Sequence, residues 1–288
     1  MRTVGIVGVG NMGGGMAANL LGQGWTVRVH DIDRAKVDAL AMLGAHACTS
    51  AAEASSHVPL LVVCVVDADQ SRDVLFGDGG AVHALASGSA VMLCPTIAPE
   101  DTQRIAARLA AHGIATIDAP MSGGPARARD GSMSLMVACP EAVFEANRPA
   151  IEALSRKVFR IGERVGDGAR TKLVNNLLAA INLAGAAEAL ALAQRMGLDL
   201  ATTLDVIEQS SGQSWIGSDR MRRAIAGDYA PRAHMTLLAK DTRLAIDAAR
   251  SAGFDGPLGT AARDVFARAI DAGLADLDDA ALFRRVSS

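Results

Sequence analysis

The sequence predicts an α/β fold in two parts. An N-terminal doubly wound, mostly parallel sheet is joined by one long helix to an all-helical C-terminal part. Three observations carry this. Short apolar runs bounded by turn residues alternate with helical periodicity from Val4 to Ile161, the pattern of a parallel sheet covered on both faces. From Ala169 to Met196 runs one Ala-rich apolar stretch without a proline, about 40 Å of helix at 1.5 Å per residue. Beyond it no strand pattern returns. The expected domains are residues 1–162 and 163–288, the long helix 169–196 belonging to the second.

The composition narrows the function. At 288 residues and a net charge of −3, the chain has no basic footprint for nucleic acid or an anionic membrane. Half of it is hydrophobic but only 3% is aromatic, so the core must be built from Ala, Val, Leu, Ile and Met. Cys48, Cys64, Cys94 and Cys139 lie far apart in or beside apolar runs, which reads as reduced, packed thiols in a cytoplasmic protein. The six histidines form no pair at metal-ligand spacing, and no metal is expected. Met1-Arg2-Thr3 leads straight into a strand with no room for a signal peptide, and no apolar run is read as reaching membrane-spanning length.

In chain order, Val4–Val7 reads as a strand, followed by Gly8-Val9-Gly10-Asn11-Met12-Gly13 and a helical run through Leu21. Strand, glycine turn and helix start together make the Rossmann dinucleotide fingerprint; a lone glycine pattern would be weak. Gly8 allows the tight turn, Gly10 the approach of a pyrophosphate, and Gly13 close packing of helix on strand. A second strand, Thr26–His30, ends in Asp31, placed to accept both adenine-ribose hydroxyls and to repel a 2′-phosphate. The plainer reading is an aspartate capping a turn, but its position favours the ribose. NAD is therefore expected, with NADP left open by Arg34.

A helix at Asp33–Met42 and a short strand at Ala45–Cys48 follow. Leu60–Val66, Val91–Cys94, Ile114–Ile117 and Leu135–Val137 read as further strands, with Pro99–Ala111 a helix. Ligands of such sheets bind at the carboxyl ends of the strands. Three loops therefore qualify: Val65-Val66-Asp67, Cys94-Pro95-Thr96, and Asp118-Ala119-Pro120-Met121-Ser122-Gly123-Gly124. Ser122 offers a hydroxyl and the two glycines exposed N–H groups, suited to a substrate carboxylate; a plain Ser-Gly turn is the bland alternative. The C-terminal part reads as helices at Leu200–Glu208, Asp219–Ala226, Met235–Ala252, Pro257–Ala272 and Asp278–Arg285.

The chemistry is expected where the two parts join. Gly166-Asp167-Gly168 is a turn in which Asp167 can cap a helix beginning near Ala169. Lys172 and Asn176, four apart, share one face of that helix. Near the helix start the dipole disfavours an ammonium, which suits a lysine serving as general base and acid. An ordinary surface lysine is the plainer reading. Only four of the 28 basic residues are lysine, Lys36, Lys157, Lys172 and Lys240, so lysine is kept sparingly where arginine could carry charge.

The chain resembles the β-hydroxyacid dehydrogenase family over its full length. The family includes 3-hydroxyisobutyrate dehydrogenase, tartronate semialdehyde (2-hydroxy-3-oxopropionate) reductase and L-threonate dehydrogenase. Four motifs carry the likeness: the glycine turn from Gly8 to Leu20, the loop Asp118–Gly124 running on to Met136-Val137, Gly166–Lys172 with Asn175-Asn176, and Lys240-Asp241. The resemblance implies a C-terminal part like that of 6-phosphogluconate dehydrogenase. It implies Lys172 as acid/base with Asn176 orienting substrate, and Ser122, Gly123, Gly124 and Asn175 as substrate contacts. Thr96, Val65, Val66 and Lys240 would meet the cofactor. Arg127 stands where many members have glycine. It and Gly227-Asp228-Tyr229-Ala230-Pro231 resemble the L-threonate branch, whereas Asn175-Asn176 and Ser210–Trp215 resemble the 3-hydroxyisobutyrate branch.

The expected function is thus NAD-dependent interconversion of a small 3-hydroxyacid or sugar acid and its oxo form, 3-hydroxyisobutyrate or L-threonate first and tartronate semialdehyde as the alternative. The alternative from another class is a non-catalytic dinucleotide-binding module, which would be expected to have a degenerate lysine helix. The apolar run Leu173–Leu192 exceeds what one face of a surface helix needs, so a homodimer or homotetramer through the helical part is expected.

Overall fold

The computed structural model describes residues 2–288. The chain divides into two compact units, the first ending at Lys172 and the second running Leu173–Ser288. The first unit carries nine strands: β1 (Thr3–Val7), β2 (Thr26–His30), β3 (His46–Ala47), β4 (Leu60–Val63), β5 (Ala90–Leu93), β6 (Ala115–Asp118), β7 (Met121–Ser122), β8 (Ser134–Ala138) and β9 (Lys157–Gly162). Between them lie α1 (Asn11–Gly22), α2 (Arg34–Ala41), α3 (Ala51–Ser55), α4 (Ala68–Phe76), α5 (Pro99–Ala110), α6 (Gly124–Asp130) and α7 (Glu141–Leu154).

The strand order is β3-β2-β1-β4-β5-β6-β8-β7, with β9 beside β8. β1 to β6 pair in parallel; β8 runs antiparallel to β6 and β7, and β9 parallel to β8. Strand periodicity explains why both faces are apolar. Ile6, Val62 and Met92 pack with Met16 and Leu20 of α1 on one side. Val7, Leu61, Val63, Val91 and Leu93 pack with Ile105 and Leu109 of α5 on the other. The order reverses direction between β1 and β4, which is where a doubly wound sheet binds its ligand.

The central strands and the succession of C-terminal helices match expectation, with differences at the edges. The run read as Leu60–Val66 leaves the sheet after Val63, and Val66 is 46% exposed. β7, β9, α3, α4, α6 and α7 were not anticipated. β9 buries none of its six residues completely, so its apolar signal is diluted. Helix α7 holds Pro149 in its interior, a residue that ordinarily argues against a helix.

The long helix, α8 (Asp167–Arg195), begins two residues before the expected start. Asp167 is not its cap: the carboxylate is held by Arg164 (2.9 Å) and Arg170 (2.6 Å). The N–H groups of Gly166 and Ala169 donate instead to Asp118 Oδ2, at 2.7 and 3.1 Å. The apolar run is also longer than expected, reaching membrane-spanning length. An 18-residue window of α8 has a mean hydropathy of 1.5, so by length and composition alone the helix could cross a membrane. Its apolar stripe has a core to fill, however. Ala180, Leu183, Ala187 and Leu190 pack with Leu204, Met221, Leu238, Phe266 and Leu282 of the second unit.

The second unit continues with α9 (Leu200–Glu208), α10 (Trp215–Ile225), α11 (Met235–Ser251), α12 (Pro257–Ala269) and α13 (Leu282–Ser287). The approach to α11 is held by Asp278, whose carboxylate accepts the N–H of Arg232 (2.8 Å) and Ala233 (3.1 Å) and pairs with buried Arg223 at 2.6 Å.

Candidate active site

The glycine turn is built as its residues require. Gly8 has φ 85°, and a Cβ there would meet Cys64 O of β4's end at 2.5 Å. A Cβ on Gly13 would lie 2.0 Å from Gly8 O, so only glycine lets α1 start this close to the turn. Gly10 faces open space, leaving room for a ligand to approach the backbone. Asn11, exposed, and Met12, half-buried, open α1, and no side chain caps that helix. Asp31 accepts Val9 N–H at 2.7 Å and Asp33 N–H at 2.9 Å. Arg34 is engaged by Asp38 at 2.8 Å along its own helix. Val65 and Val66 follow β4, where Val66 N–H donates to Gln70 Oε1 at 3.0 Å, and half-buried Thr96 follows β5. These groups sit at the carboxyl ends of parallel strands and fit a dinucleotide: open backbone, a helix start with no side-chain cap, and a carboxylate just past β2.

The loop expected to hold substrate runs from the end of β6 into a short strand and a pair of glycines. Ser122 lies in β7 opposite Ser134 of β8. Gly123 and Gly124 follow with φ 133° and 75°. A Cβ on Gly123 would come within 2.9 Å of Arg127 Cδ, so the stem of Arg127 lies over this glycine.

Lys172 is the sixth residue of α8 and 7% exposed. It thus lies past the first turn, where the helix dipole acts most strongly. Its burial keeps the amine out of bulk water.

The second unit holds a polar chain. Asn175 Nδ2 donates to Asn176 Oδ1 (3.0 Å), Asn176 Nδ2 donates to Asp241 Oδ2 (2.6 Å), and Lys240 Nζ lies 2.9 Å from Asp241 Oδ1. Asn176 and Asp241 are buried and Asn175 is exposed. Sequence reasoning cast Lys240 as the working member of its pair and gave Asp241 no role. Only the fold shows that Asp241 meets Asn176, 65 residues away.

Burial pushes the Cys64 thiol up to about 12 and the Cys94 thiol well above its ordinary value, so neither is a nucleophile near neutral pH. Among the described residues no three His, Cys, Asp or Glu side chains gather as a metal site.

Known proteins place this chain. The family model for the NAD-binding domain of 6-phosphogluconate dehydrogenase matches residues 3–162. That for the NAD-binding of NADP-dependent 3-hydroxyisobutyrate dehydrogenase matches residues 166–286. L-threonate dehydrogenase of Escherichia coli K12 is 38% identical, covering 98% of this chain and 93% of its own length. 3-Hydroxyisobutyrate dehydrogenase of Pseudomonas aeruginosa is 36% identical over 92% of this chain and 91% of its own. The crystal structure of 3-hydroxyisobutyrate dehydrogenase from Salmonella typhimurium superposes with a TM-score of 0.93 at 38% identity, covering 99% of this chain and 100% of that one.

Fold and glycine turn define a dinucleotide-dependent oxidoreductase. The chain belongs to the β-hydroxyacid dehydrogenase family. It is an NAD(P)-dependent dehydrogenase that interconverts a hydroxyacid and its oxo form by hydride transfer.

Proposed function

We propose that the substrate is a small polyhydroxylated acid of the L-threonate type, that NAD is preferred, and that Lys172 is the acid/base. The observation that carries the substrate reading is the 38% identity to an L-threonate dehydrogenase across 98% of the chain. Arg127, its stem over Gly123, adds a cation beside the proposed carboxylate loop. The second reading, 3-hydroxyisobutyrate, is favoured by the relatives so named and by the Asn175-Asn176 pair.

In this mechanism Gly8, Gly10, Asn11, Met12 and Gly13 hold the pyrophosphate and Asp31 the adenine ribose, while Val65, Val66, Thr96 and Lys240 lie toward the nicotinamide end. The nicotinamide, when bound, supplies the hydride acceptor. Ser122, Gly123, Gly124 and Asn175 take the substrate carboxylate. Asn176 Nδ2, turned by Asp241, orients the substrate. Lys172, as the neutral amine, takes the hydroxyl proton during oxidation and returns it during reduction. Residues 1–162 serve as the cofactor domain and 163–288 as the substrate and assembly domain.

The test is a panel of small hydroxyacids with NAD and NADP, followed at 340 nm. L-threonate or a close four-carbon sugar acid should give the highest kcat/KM. A clear lead for 3-hydroxyisobutyrate would overturn the substrate reading and leave the mechanism standing.

The chain also assembles as a homodimer or homotetramer through its helical part. The support is exposed apolar surface on α8 and its neighbours: Leu192 is 60%, Met196 66%, Leu198 50% and Val206 60% exposed. Light scattering at micromolar concentration checks it; a monomer refutes it.

A further inference from the structure

Asp118 ends β6 and is 1% exposed. A carboxylate so far from water is costly unless its oxygens are hydrogen-bonded. Asp118 Oδ2 accepts the N–H of Gly166 at 2.7 Å and of Ala169 at 3.1 Å, both at the start of α8. Helices are usually capped by the residue just before them. Here the local acid, Asp167, is turned to Arg164 and Arg170, and the cap comes from 48 and 51 residues away. The bond is therefore a tie between a strand end and a helix start.

Gly168 gives the same joint from the other side. A Cβ there would lie 2.8 Å from Met136 O of β8, 2.9 Å from Asp118 Cγ and 2.9 Å from Asp118 O. Two of these atoms are backbone, so they cannot move aside, and only glycine lets α8 sit this close. Lys172 stands four residues past Gly168, one turn along the same face. Ser122 stands four residues past Asp118 along the other arm. Both arms of the proposed chemistry leave from one seat.

We propose that Asp118 is a positioning residue: its carboxylate holds the first turns of α8 so that Lys172 keeps a fixed place relative to the loop carrying Ser122. The inference rests on the reading of Lys172 as acid/base. Asp118 is not thereby a proton carrier, since its bonds go to backbone N–H groups. A misplacement of about 1 Å can cost on the order of 10²-fold in rate, so the joint matters even though it touches no reacting atom.

The experiment uses the full chain, the best substrate of the panel, and Lys172→Ala, Asp118→Asn, Asp118→Ala and Gly168→Ala. For each, kcat, KM and the NADH dissociation constant by fluorescence are measured. Lys172→Ala tests the underlying reading and should lose at least about 10²-fold in kcat. Asp118→Asn keeps an oxygen acceptor for the helix and should retain kcat within about threefold. Asp118→Ala and Gly168→Ala should lose about tenfold or more in kcat, with NADH affinity within about twofold of wild type. An active Lys172→Ala would remove the mechanism and this inference with it. With Lys172→Ala inactive, Asp118→Ala at near wild-type kcat overturns the inference alone. So does an Asn variant as poor as the Ala variant, or a parallel loss of kcat and NADH affinity, which marks general loosening. If Asp118→Ala does not fold, Gly168→Ala decides: an unchanged kcat there overturns the proposal.

Discussion

Asn176 and Asp241 meet side chain to side chain at 2.6 Å, and neither is more than 9% exposed. With Asn175 donating to its oxygen, the Asn176 amide cannot turn over without losing both bonds, and one hydrogen of its NH₂ group stays available to a ligand. Lys240, 2.9 Å from Asp241, compensates the buried charge. Asp241→Ala should therefore release the amide and raise substrate KM. A bond to a charged group is worth about 1.5–3 kcal/mol, which converts to roughly 10–150-fold. NADH affinity should change by less, because Lys240 loses its anchor but the pyrophosphate contacts are untouched. An unaltered KM across the hydroxyacid panel would separate this pair from substrate binding.

Lys172→Arg tests proton transfer against electrostatic anchoring. Arginine keeps the charge but cannot release a proton near neutral pH. kcat should fall by about 10²–10⁴-fold, the usual worth of positioned acid/base catalysis. A variant oxidising at near wild-type rate would reduce Lys172 to an anchor.

Asp31→Ser should narrow the preference for NAD over NADP. The substitution removes a ribose acceptor and the repulsion of a 2′-phosphate, while Arg34 remains nearby in sequence. The ratio of kcat/KM for the two cofactors should fall by about tenfold or more, through loss of one charged contact. Equal ratios in wild type and variant would show that the preference is set elsewhere.

Asp118 gives a pH prediction for stability. Burial raises its carboxyl to about 6 from an ordinary 3.8, against the lowering effect of the N–H groups of Ala169, Gly166 and Gly168. Because the folded value is raised, the folded chain holds this proton more tightly than the unfolded one. The resulting stability is complete below about pH 4 and is lost as pH rises through about 6. Asn cannot titrate, so the stability of Asp118→Asn relative to wild type should improve between pH 4 and 6.5 by on the order of 2 kcal/mol, then level off. Urea unfolding of both proteins across that range is the measurement. A difference that does not vary with pH would contradict the assignment.

What the sequence made legible was whatever repeats or stands in a local frame. The glycine turn, the apolar centres of β1, β2, β4 and β5, and the helices of the second unit could be read because each signal lies within one element. β9 and α7 escaped for local reasons of their own, an incompletely buried edge and an internal Pro149. The site divides in the same way. Lys172 and Asn176 could be set on one helix by spacing alone. The roles of Asp118 and Asp241 could not, because their partners lie 48 to 65 residues away and no periodicity joins them. Asp167, the acid in the expected capping position, was the natural misreading: nothing in the sequence says that Arg164 and Arg170 claim it first.

Asp31 is bonded to Val9 N–H at 2.7 Å, so the chain's own groups tie the glycine turn to the end of β2. With Gly13 seated against Gly8, the turn has little freedom left to lose. Encounter with NADH should then be close to a key entering a finished lock. Stopped-flow traces should be single-exponential, with an observed rate that climbs linearly with NADH concentration and no plateau from a slow loop rearrangement.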